Sequence, residues 1–265
     1  MSFQSDLERF ECWGKIPEIL IKRGEELLSQ PYHRIEFTHV EGADDLLNDL
    51  QNYPHAFVLA CVMNRQIKAE RVWMIPYLVA EELGDFSINT LLSTSLDSFV
   101  EMFTKQSYHR FNVEMAKYFF QGIKRIHENY NNDASGIWRN NPGSASVVRK
   151  FLQFGGVGIK IATMATNILS RDFRIPFKEK LYIDISPDVH VMRVFKRLLL
   201  IDWNATADEL IYCARELHPE YPGIFDLSAW EIGRNWCSPN PDKMKCAECY
   251  LDNYCAKLVY LCQAE

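Results

Sequence analysis

One stretch decides the fold: FGGVGIKIA, residues 154–162, which lies between two segments of helical periodicity. Its glycines, Gly155, Gly156 and Gly158, permit a tight turn and let the backbone approach a ligand closely. A helix is predicted to begin directly after the turn. Backbone N–H groups at such a place can hold an anion such as a DNA phosphate without reading sequence. Considered alone, the glycines also fit a second interpretation, in which they only let two helices pack closely.

The rest of the chain is predicted to be helical almost throughout, with little of the alternation that marks strands. Between residues 171 and 186, proline, aromatic and charged residues mix without a helical period, which predicts an irregular segment and a domain boundary near residue 170. Apolar residues recur at helical spacing in residues 16–28, 43–50, 57–83, 112–130, 145–154, 159–169, 189–200 and 207–217.

The composition is that of an ordinary globular protein. The chain has 265 residues, 48% of them hydrophobic, which is enough for one large domain or two small ones. A net charge of −6 excludes a globally basic surface, so any nucleic-acid site must be a local patch. Apolar runs such as residues 56–63 are too short to cross a bilayer, and no signal peptide is evident. We expect a cytoplasmic protein without a membrane partner.

Four of the eight cysteines lie in a short C-terminal stretch, at Cys237, Cys246, Cys249 and Cys255. They contain one close pair flanked by two single cysteines, whereas structural zinc sites usually use two close pairs. A [4Fe-4S] cluster therefore fits the spacing better than zinc. Unrelated thiols in a helical tail are the third reading, but the turn-rich residues 238–242 predict a loop. The other four cysteines, predicted to be free thiols in a reducing compartment, are Cys12, Cys61, Cys213 and Cys262.

The glycine-rich turn resembles the motif of the helix–hairpin–helix superfamily of DNA glycosylases, in particular its endonuclease III branch. The family pattern Leu-Pro-Gly-Val-Gly-x-Lys-x-Ala matches this chain at Gly156, Val157, Gly158, Lys160 and Ala162, with phenylalanine and glycine in place of the leucine and proline.

Two further motifs follow in the family's order. The family's Val-Asp-Thr-His corresponds to PDVH at residues 187–190, and the cysteine stretch comes last. The resemblance implies that Lys160 is the nucleophile of a bifunctional enzyme and that Asp188 is its catalytic aspartate. A neutral lysine can attack a sugar carbon, and a carboxylate can stabilise the positive charge that develops there. Outside this context, Lys160 would be a solvated lysine and Asp188 a helix N-cap.

The resemblance also implies an all-α fold of two helical domains with a cleft between them. A helical barrel, residues 43–169, would end in the helix–hairpin–helix. A cluster domain with the iron–sulfur loop would combine residues 1–42 and 170–265. The expected partner is double-stranded DNA that contains a damaged or mismatched base, bound by a monomer that is nucleoid-associated if prokaryotic.

The expected function is base excision coupled to AP-lyase cleavage. The alternatives are a monofunctional glycosylase and a non-catalytic module that binds DNA or senses damage. No extension follows Glu265, which disfavours the adenine glycosylases that carry an added domain.

Two loops are predicted to touch DNA. The resemblance places Asn64 or Gln66 as the wedge that fills the space of a flipped base, although polar residues at a helix end also simply face water. The loop before the second cysteine is longer than in the family pattern and contains Lys243 and Lys245. These lysines suit phosphate contacts, or they form an ordinary solvated loop.

Overall fold

The computed structural model describes residues 6–257, and the side chains of residues 14–257. Over this range the chain forms twelve α-helices and four short 3-10 helices, and no β-strand. The predicted all-α class is therefore confirmed. The chain divides into two compact units: a central unit, Tyr32–Lys178, and a terminal unit built from Met1–Pro31 and Glu179–Glu265. The predicted division into a helical barrel, residues 43–169, and a cluster domain, residues 1–42 with 170–265, stays a prediction.

The central unit packs its helices around one apolar helix, α3. Every residue of α3 is buried, and helices with apolar residues on all sides occur in protein cores. Helices α2, α4, α7 and α9 all pack against it. The helices of this unit are α2 (Glu41–Asn48), α3 (Pro54–Met63), α4 (Ala69–Leu83), α5 (Ile88–Ser93), α6 (Leu96–Gln106), α7 (Asn112–Tyr130), α8 (Ser144–Phe151) and α9 (Ile159–Arg171).

The sequence prediction of one helix over residues 57–83 is wrong, because α3 and α4 are separated by a loop at residues 64–68. Asn64 ends α3, and Gln66 adopts a left-handed backbone conformation with φ of 52°. Helices α5 and α6 were not predicted. Each begins after a serine, Ser87 or Ser95, whose hydroxyl accepts a hydrogen bond from the third residue along.

The terminal unit joins α1 (Asp6–Ser29) to α10 (Val189–Arg197), α11 (Ala207–Leu217) and α12 (Phe225–Asn235), the last of which was also not predicted. Helix α12 packs against both α1 and α10. Arg23 of α1 pairs with Glu231 of α12 through two hydrogen bonds of 3.0 and 2.8 Å. At Gly24, a Cβ atom would lie 2.6 Å from the carbonyl oxygen of Ile224, so only glycine permits this close contact.

The segment at residues 171–186 is irregular, as predicted. Its first half packs in the central unit, where Phe173 lies edge-on to Phe57. Its second half belongs to the terminal unit, where Asp184 forms a two-point ion pair with Arg215. Among the described helices, none combines the length and the apolar character needed to span a membrane.

Candidate functional site

The glycine-rich turn forms a hairpin between α8 and α9, which pack against each other. Gly156 has a φ of +80°, a conformation that favours glycine. The amide of Val157 donates to the carbonyl of Phe154 at 3.2 Å, which closes the turn. Gly158 is the N-cap of α9 and provides no side chain to accept from the first amides of the helix. Those amides remain available to an external anion.

Lys160 is the second residue of α9, and its side chain is exposed. It therefore lies directly beside the amides at the end of the hairpin. In the described part of the chain its ammonium group has no hydrogen-bond or ion-pair partner. This placement suits an amine that must reach a DNA sugar next to a bound phosphate.

Asp188 is the N-cap of α10 and is half-buried. Its Oδ1 atom accepts hydrogen bonds from the amides of His190 and Val191, both at 2.8 Å. The other oxygen, Oδ2, has no hydrogen-bond partner among residues 6–257. The aspartate is thus a true helix cap that keeps one carboxylate oxygen available for another role.

A buried carboxylate, that of Asp226, forms hydrogen bonds with the segment just before Asp188. Asp226 of α12 accepts from the amide of Ser186 at 2.6 Å and from its hydroxyl at 3.1 Å. The carbonyl of Ser186 in turn accepts from the amide of Asp188 at 2.8 Å. Sequence reasoning missed this support, because Asp226 lies 38 positions after Asp188 and no local pattern connects them.

The hairpin and Lys160 belong to the central unit, whereas Asp188 belongs to the terminal unit. The predicted wedge residues are also in the central unit, in the loop after α3. Asn64 is half-buried, and its amide donates to the sulfur of Met164 at 3.4 Å. Gln66 is exposed. Between them, Arg65 forms an ion pair of 2.8 Å with Glu114 on α7.

A buried histidine lies beneath this loop. His109 is 1% exposed, and its Nδ1 accepts from the amide of Phe111 at 3.1 Å. Burial lowers the pKa of His109, while the nearby carbonyls of Met63 and Arg65 oppose that shift. Since Nδ1 is an acceptor, the neutral ring carries its proton on Nε2, facing the loop backbone.

The four C-terminal cysteines lie together in the terminal unit. All four are partly buried and contribute to one cavity lined otherwise by residues of α10, α12 and the chain's last loops. The pKa of Cys249 is raised to about 11, mainly by burial; the charges of the other three cysteines act in the same direction, and a hydrogen bond from the backbone of Leu251 acts against it. The structure thus brings together the residues predicted as ligands: Cys237, Cys246, Cys249 and Cys255.

Two sulfur atoms in this group already accept hydrogen bonds. Arg197, which is 2% exposed, donates to the sulfur of Cys237 at 3.1 Å and to the carbonyl of Ser238 at 2.7 Å. The amide of Lys257 donates to the sulfur of Cys255 at 3.4 Å. A buried guanidinium against a sulfur suits a thiolate, because buried cations need an anionic partner.

A second arginine connects the first cysteine to α10. Arg193 donates to the carbonyl of Cys237 at 2.8 Å and to the carbonyl of Gly233 at 2.7 Å. Burial lowers its pKa, while the charges of Cys237 and Asp188 favour its protonated form. Arg193 and Arg197 are spaced four apart on one face of α10, a signal that could have marked them in the sequence.

Within residues 14–257, no group of three or more histidine, cysteine, aspartate or glutamate side chains is arranged to hold a single metal ion. Of the predicted free thiols, Cys61 and Cys213 carry no disulfide. The side chain of Cys12 and the whole of Cys262 lie outside the described residues.

The lysines of the cysteine loop are both exposed. Lys243 ends a 3-10 turn, Pro241–Lys243, whose start is capped by Asn240. Lys245 lies 3.7 Å from Glu248, an ion pair in which both partners are largely exposed. Such a pair contributes little to stability, so Lys245 can exchange it for another anion.

No protein-family model and no curated protein sequence matches the chain. Among solved structures, a non-covalent complex of endonuclease III with DNA has a TM-score of 0.60 at 17% identity, over 92% of this chain and 95% of that one. A thermostable thymine-DNA glycosylase has a TM-score of 0.57 at 15% identity, over 92% and 96% of the two chains.

A trapped covalent intermediate of endonuclease III with DNA has a TM-score of 0.55 at 18% identity, over 82% of this chain and 93% of that one. At these identities the likeness establishes the fold. The chain therefore has the helix–hairpin–helix fold of endonuclease III and related DNA glycosylases, as its sequence motifs predicted.

Proposed function

We propose that this protein is a DNA glycosylase of base excision repair that also cleaves the strand as an AP lyase. The observation that carries the proposal is the exposed lysine at the start of α9, immediately after a glycine hairpin with free amides. The endonuclease III-like fold supports it, because that fold is shared with proteins solved on DNA. The proposed partner is duplex DNA with a damaged or mismatched base.

In this proposal the amides of Gly155, Gly156 and Gly158 and those of the first turn of α9 hold a backbone phosphate and set the position of the sugar beside Lys160, while the amide of Val157 closes the turn. The neutral amine attacks C1′, the bond from C1′ to the base breaks, and the base leaves with the electron pair. Opening of the sugar ring then gives a Schiff base. Loss of a proton from C2′ breaks the C3′–O bond and cleaves the strand.

Asp188 is proposed to stabilise the positive charge that develops on the sugar, through the oxygen that does not cap α10. Its capping bonds hold the carboxylate in one orientation, so no reorganisation is needed when the charge appears. Asn64 or Gln66 is proposed to fill the space that the flipped base leaves.

The cysteine group is proposed to hold a [4Fe-4S] cluster, with Cys237, Cys246, Cys249 and Cys255 as ligands. A cubane binds each thiolate to a different iron atom, whereas zinc requires four ligand atoms within about 2.3 Å of one point. The four thiols line one cavity, and their spacing, one close pair between two single cysteines, favours the cluster over zinc. The cluster would cross-link Cys237, which follows α12, to the loop that contains Cys246, Cys249 and Cys255, and would take no part in bond cleavage.

The lyase reaction is tested by reduction with borohydride, which fixes a Schiff base as a covalent protein–DNA complex. Wild-type protein should be trapped on duplex DNA that contains an abasic site, with the adduct at Lys160. The Lys160→Ala variant should give no adduct yet bind the same duplex, because the hairpin binds phosphate through its backbone. Lys105→Ala, which removes an exposed lysine at the end of α6, is the matched control.

If the protein releases free base from a duplex with a lesion but gives no trapped complex, the proposal is replaced by a monofunctional glycosylase. Binding without either reaction over a broad panel of lesions would leave only a DNA-binding module. The role of Asp188 is tested separately by Asp188→Asn, because asparagine caps a helix as well as aspartate. The variant should remain folded but excise the base about 10²-fold or more slowly, as expected when one preorganised charge is lost.

A further inference from the structure

The aromatic ring of Tyr118, on α7, packs directly against the glycine hairpin. A Cβ atom on Gly155 would lie 2.7 Å from Cδ1 of this ring, and a Cβ atom on Gly156 would lie 2.8 Å from Cδ2. Real side chains do not approach so closely, so the ring leaves no room for a side chain at either position. At Gly155 the added atom would also lie 2.8 Å from Oε1 of Gln121. The two glycines and the ring form one fitted contact.

This contact accounts for a departure from the family motif. The motif has a proline where this chain has Gly155, and proline would restrict the backbone by its own ring. Here glycine leaves the backbone unrestricted. Because the ring of Tyr118 occupies the space next to Gly155, the Cβ atom of a proline would not fit at this position, and glycine does.

The hydroxyl of Tyr118 extends the contact to the predicted wedge loop. It donates to Oε1 of Glu114 at 3.1 Å, and the same oxygen accepts from Arg65 at 2.8 Å. Glu114 and Tyr118 are four residues apart, so they lie on one face of α7. Arg65 stands between Asn64 and Gln66. One short chain of contacts thus joins the hairpin to the loop after α3, within the central unit.

We propose that Tyr118 is a positioning residue for DNA binding: its ring sets the phosphate-binding hairpin, and its hydroxyl ties the hairpin to the wedge loop. The inference rests on the proposed function, because it assigns both segments to the DNA interface. The ring and the hydroxyl have separable tasks. Packing against the glycines requires the ring alone, while the link to Glu114 requires the hydroxyl.

The test measures the affinity of the full-length protein for undamaged duplex and for duplex with an abasic site. Tyr118→Ala should weaken binding to both duplexes by about tenfold, which equals 1.4 kcal/mol, since the unsupported hairpin must become ordered on binding. Tyr118→Phe keeps the ring, so it should restore the affinity for undamaged duplex. Its affinity for abasic duplex, where the wedge is used, should remain about three- to fivefold below that of wild type.

A second variant, which keeps Tyr118, makes the proposal testable if Tyr118→Ala folds poorly. Gly155→Ala should weaken DNA binding, because its Cβ atom would lie 2.7 Å from the ring of Tyr118 and 2.8 Å from Oε1 of Gln121, whereas Gly14→Ala, which meets nothing within 4 Å, should bind as wild type. Tyr212→Ala, at a largely exposed tyrosine of the terminal unit, is the matched control and should bind as wild type.

The outcomes separate the two proposals. If wild-type protein does not bind duplex DNA, the proposed function is wrong. If wild type binds and Tyr118→Ala is folded and binds equally well, the positioning role is wrong while the proposed function stands. If Gly155→Ala is folded and binds duplex DNA as tightly as wild type, the fitted contact between ring and hairpin is not what sets affinity.

Discussion

Replacing Gly233 by alanine should separate α10 from α12 and move the proposed catalytic aspartate. A Cβ atom at Gly233 would lie 2.8 Å from Cβ of His190 and 3.1 Å from both its Cα and its carbonyl oxygen. Two of these three atoms belong to the backbone, so no change of rotamer relieves the contact. The helix must shift as a whole, and Asp188 lies only two residues before His190.

The expected magnitude follows from two opposed effects. Alanine in a helix interior is favoured over glycine by about 0.5–1 kcal/mol. Forcing an extra methyl group into a packed contact costs about 1–3 kcal/mol. The net change is a loss of stability centred near 1 kcal/mol, from the difference of those two ranges. The carbonyl of Gly233 also accepts from Arg193, so a shift of α12 weakens that hydrogen bond as well.

The matched control is Gly14→Ala in α1, where an added Cβ atom meets nothing within 4 Å. That variant should be about 0.5–1 kcal/mol more stable than wild type. Urea unfolding followed by far-ultraviolet circular dichroism compares the two, and their difference isolates the cost of the contact. If Gly233→Ala is as stable as Gly14→Ala, the close packing of α10 on α12 does not restrict the helices and the argument is wrong.

Three further outcomes are expected. Burial lowers the pKa of His55 from 6.5, so below that pH the unfolded chain binds more protons than the folded one, and the free energy of unfolding should fall on acidification by at most about 1.4 kcal/mol per pH unit. In urea melts at a series of pH values, His55→Gln should flatten this dependence between pH 6.5 and the lowered pKa. The double variant Lys243→Ala with Lys245→Ala should reduce the salt slope of DNA binding by up to about two units, and an unchanged slope would remove that loop from the interface. Anaerobically purified Cys249→Ser should lose about four irons per chain together with the visible absorbance, whereas Cys213→Ser should keep both. Zinc in place of iron in the wild-type protein would contradict the cluster.

The parts of the fold that could be predicted are those encoded locally. Gly156 needs its positive φ, and Gly158 marks the start of α9, so the hairpin follows from residue types within ten positions. The N-cap at Asp188 is likewise a local signal, and the structure contains it. Ser87 and Ser95, which cap α5 and α6, are local signals of the same kind, although the spacing of apolar residues did not predict these two helices.

The break between α3 and α4 agrees with the loop that the family resemblance placed at Asn64 and Gln66, but helical periodicity missed it, because the break has no proline or glycine within it. Its left-handed residue is Gln66, a type that rarely takes this conformation. Apolar residues continue on both sides of it because α3 is buried on every face, which removes the polar stripe that would have shown where the helix ends.

The supports of the candidate site are non-local, and a single sequence does not show them. Tyr118 contacts a residue 37 positions later, and Asp226 holds one 40 positions earlier. Both are ordinary helix residues by pattern. The cysteines were proposed as ligands from their spacing and Lys160 as nucleophile from the family resemblance, while the side chains that support the hairpin and the segment before Asp188 required the structure.

The contact between α1 and α12 sets an order of events during synthesis. Arg23 and Glu231 are 208 positions apart, so α1 leaves the ribosome long before its partner exists. The central unit is one continuous segment and can fold as soon as it emerges, because domains generally fold as units from the N-terminus. The apolar side of α1 must stay uncovered for that whole interval, at ordinary elongation rates for about 10–40 s. Chaperone dependence of the nascent chain should therefore begin with α1 and end only when α12 and the cysteine loop arrive.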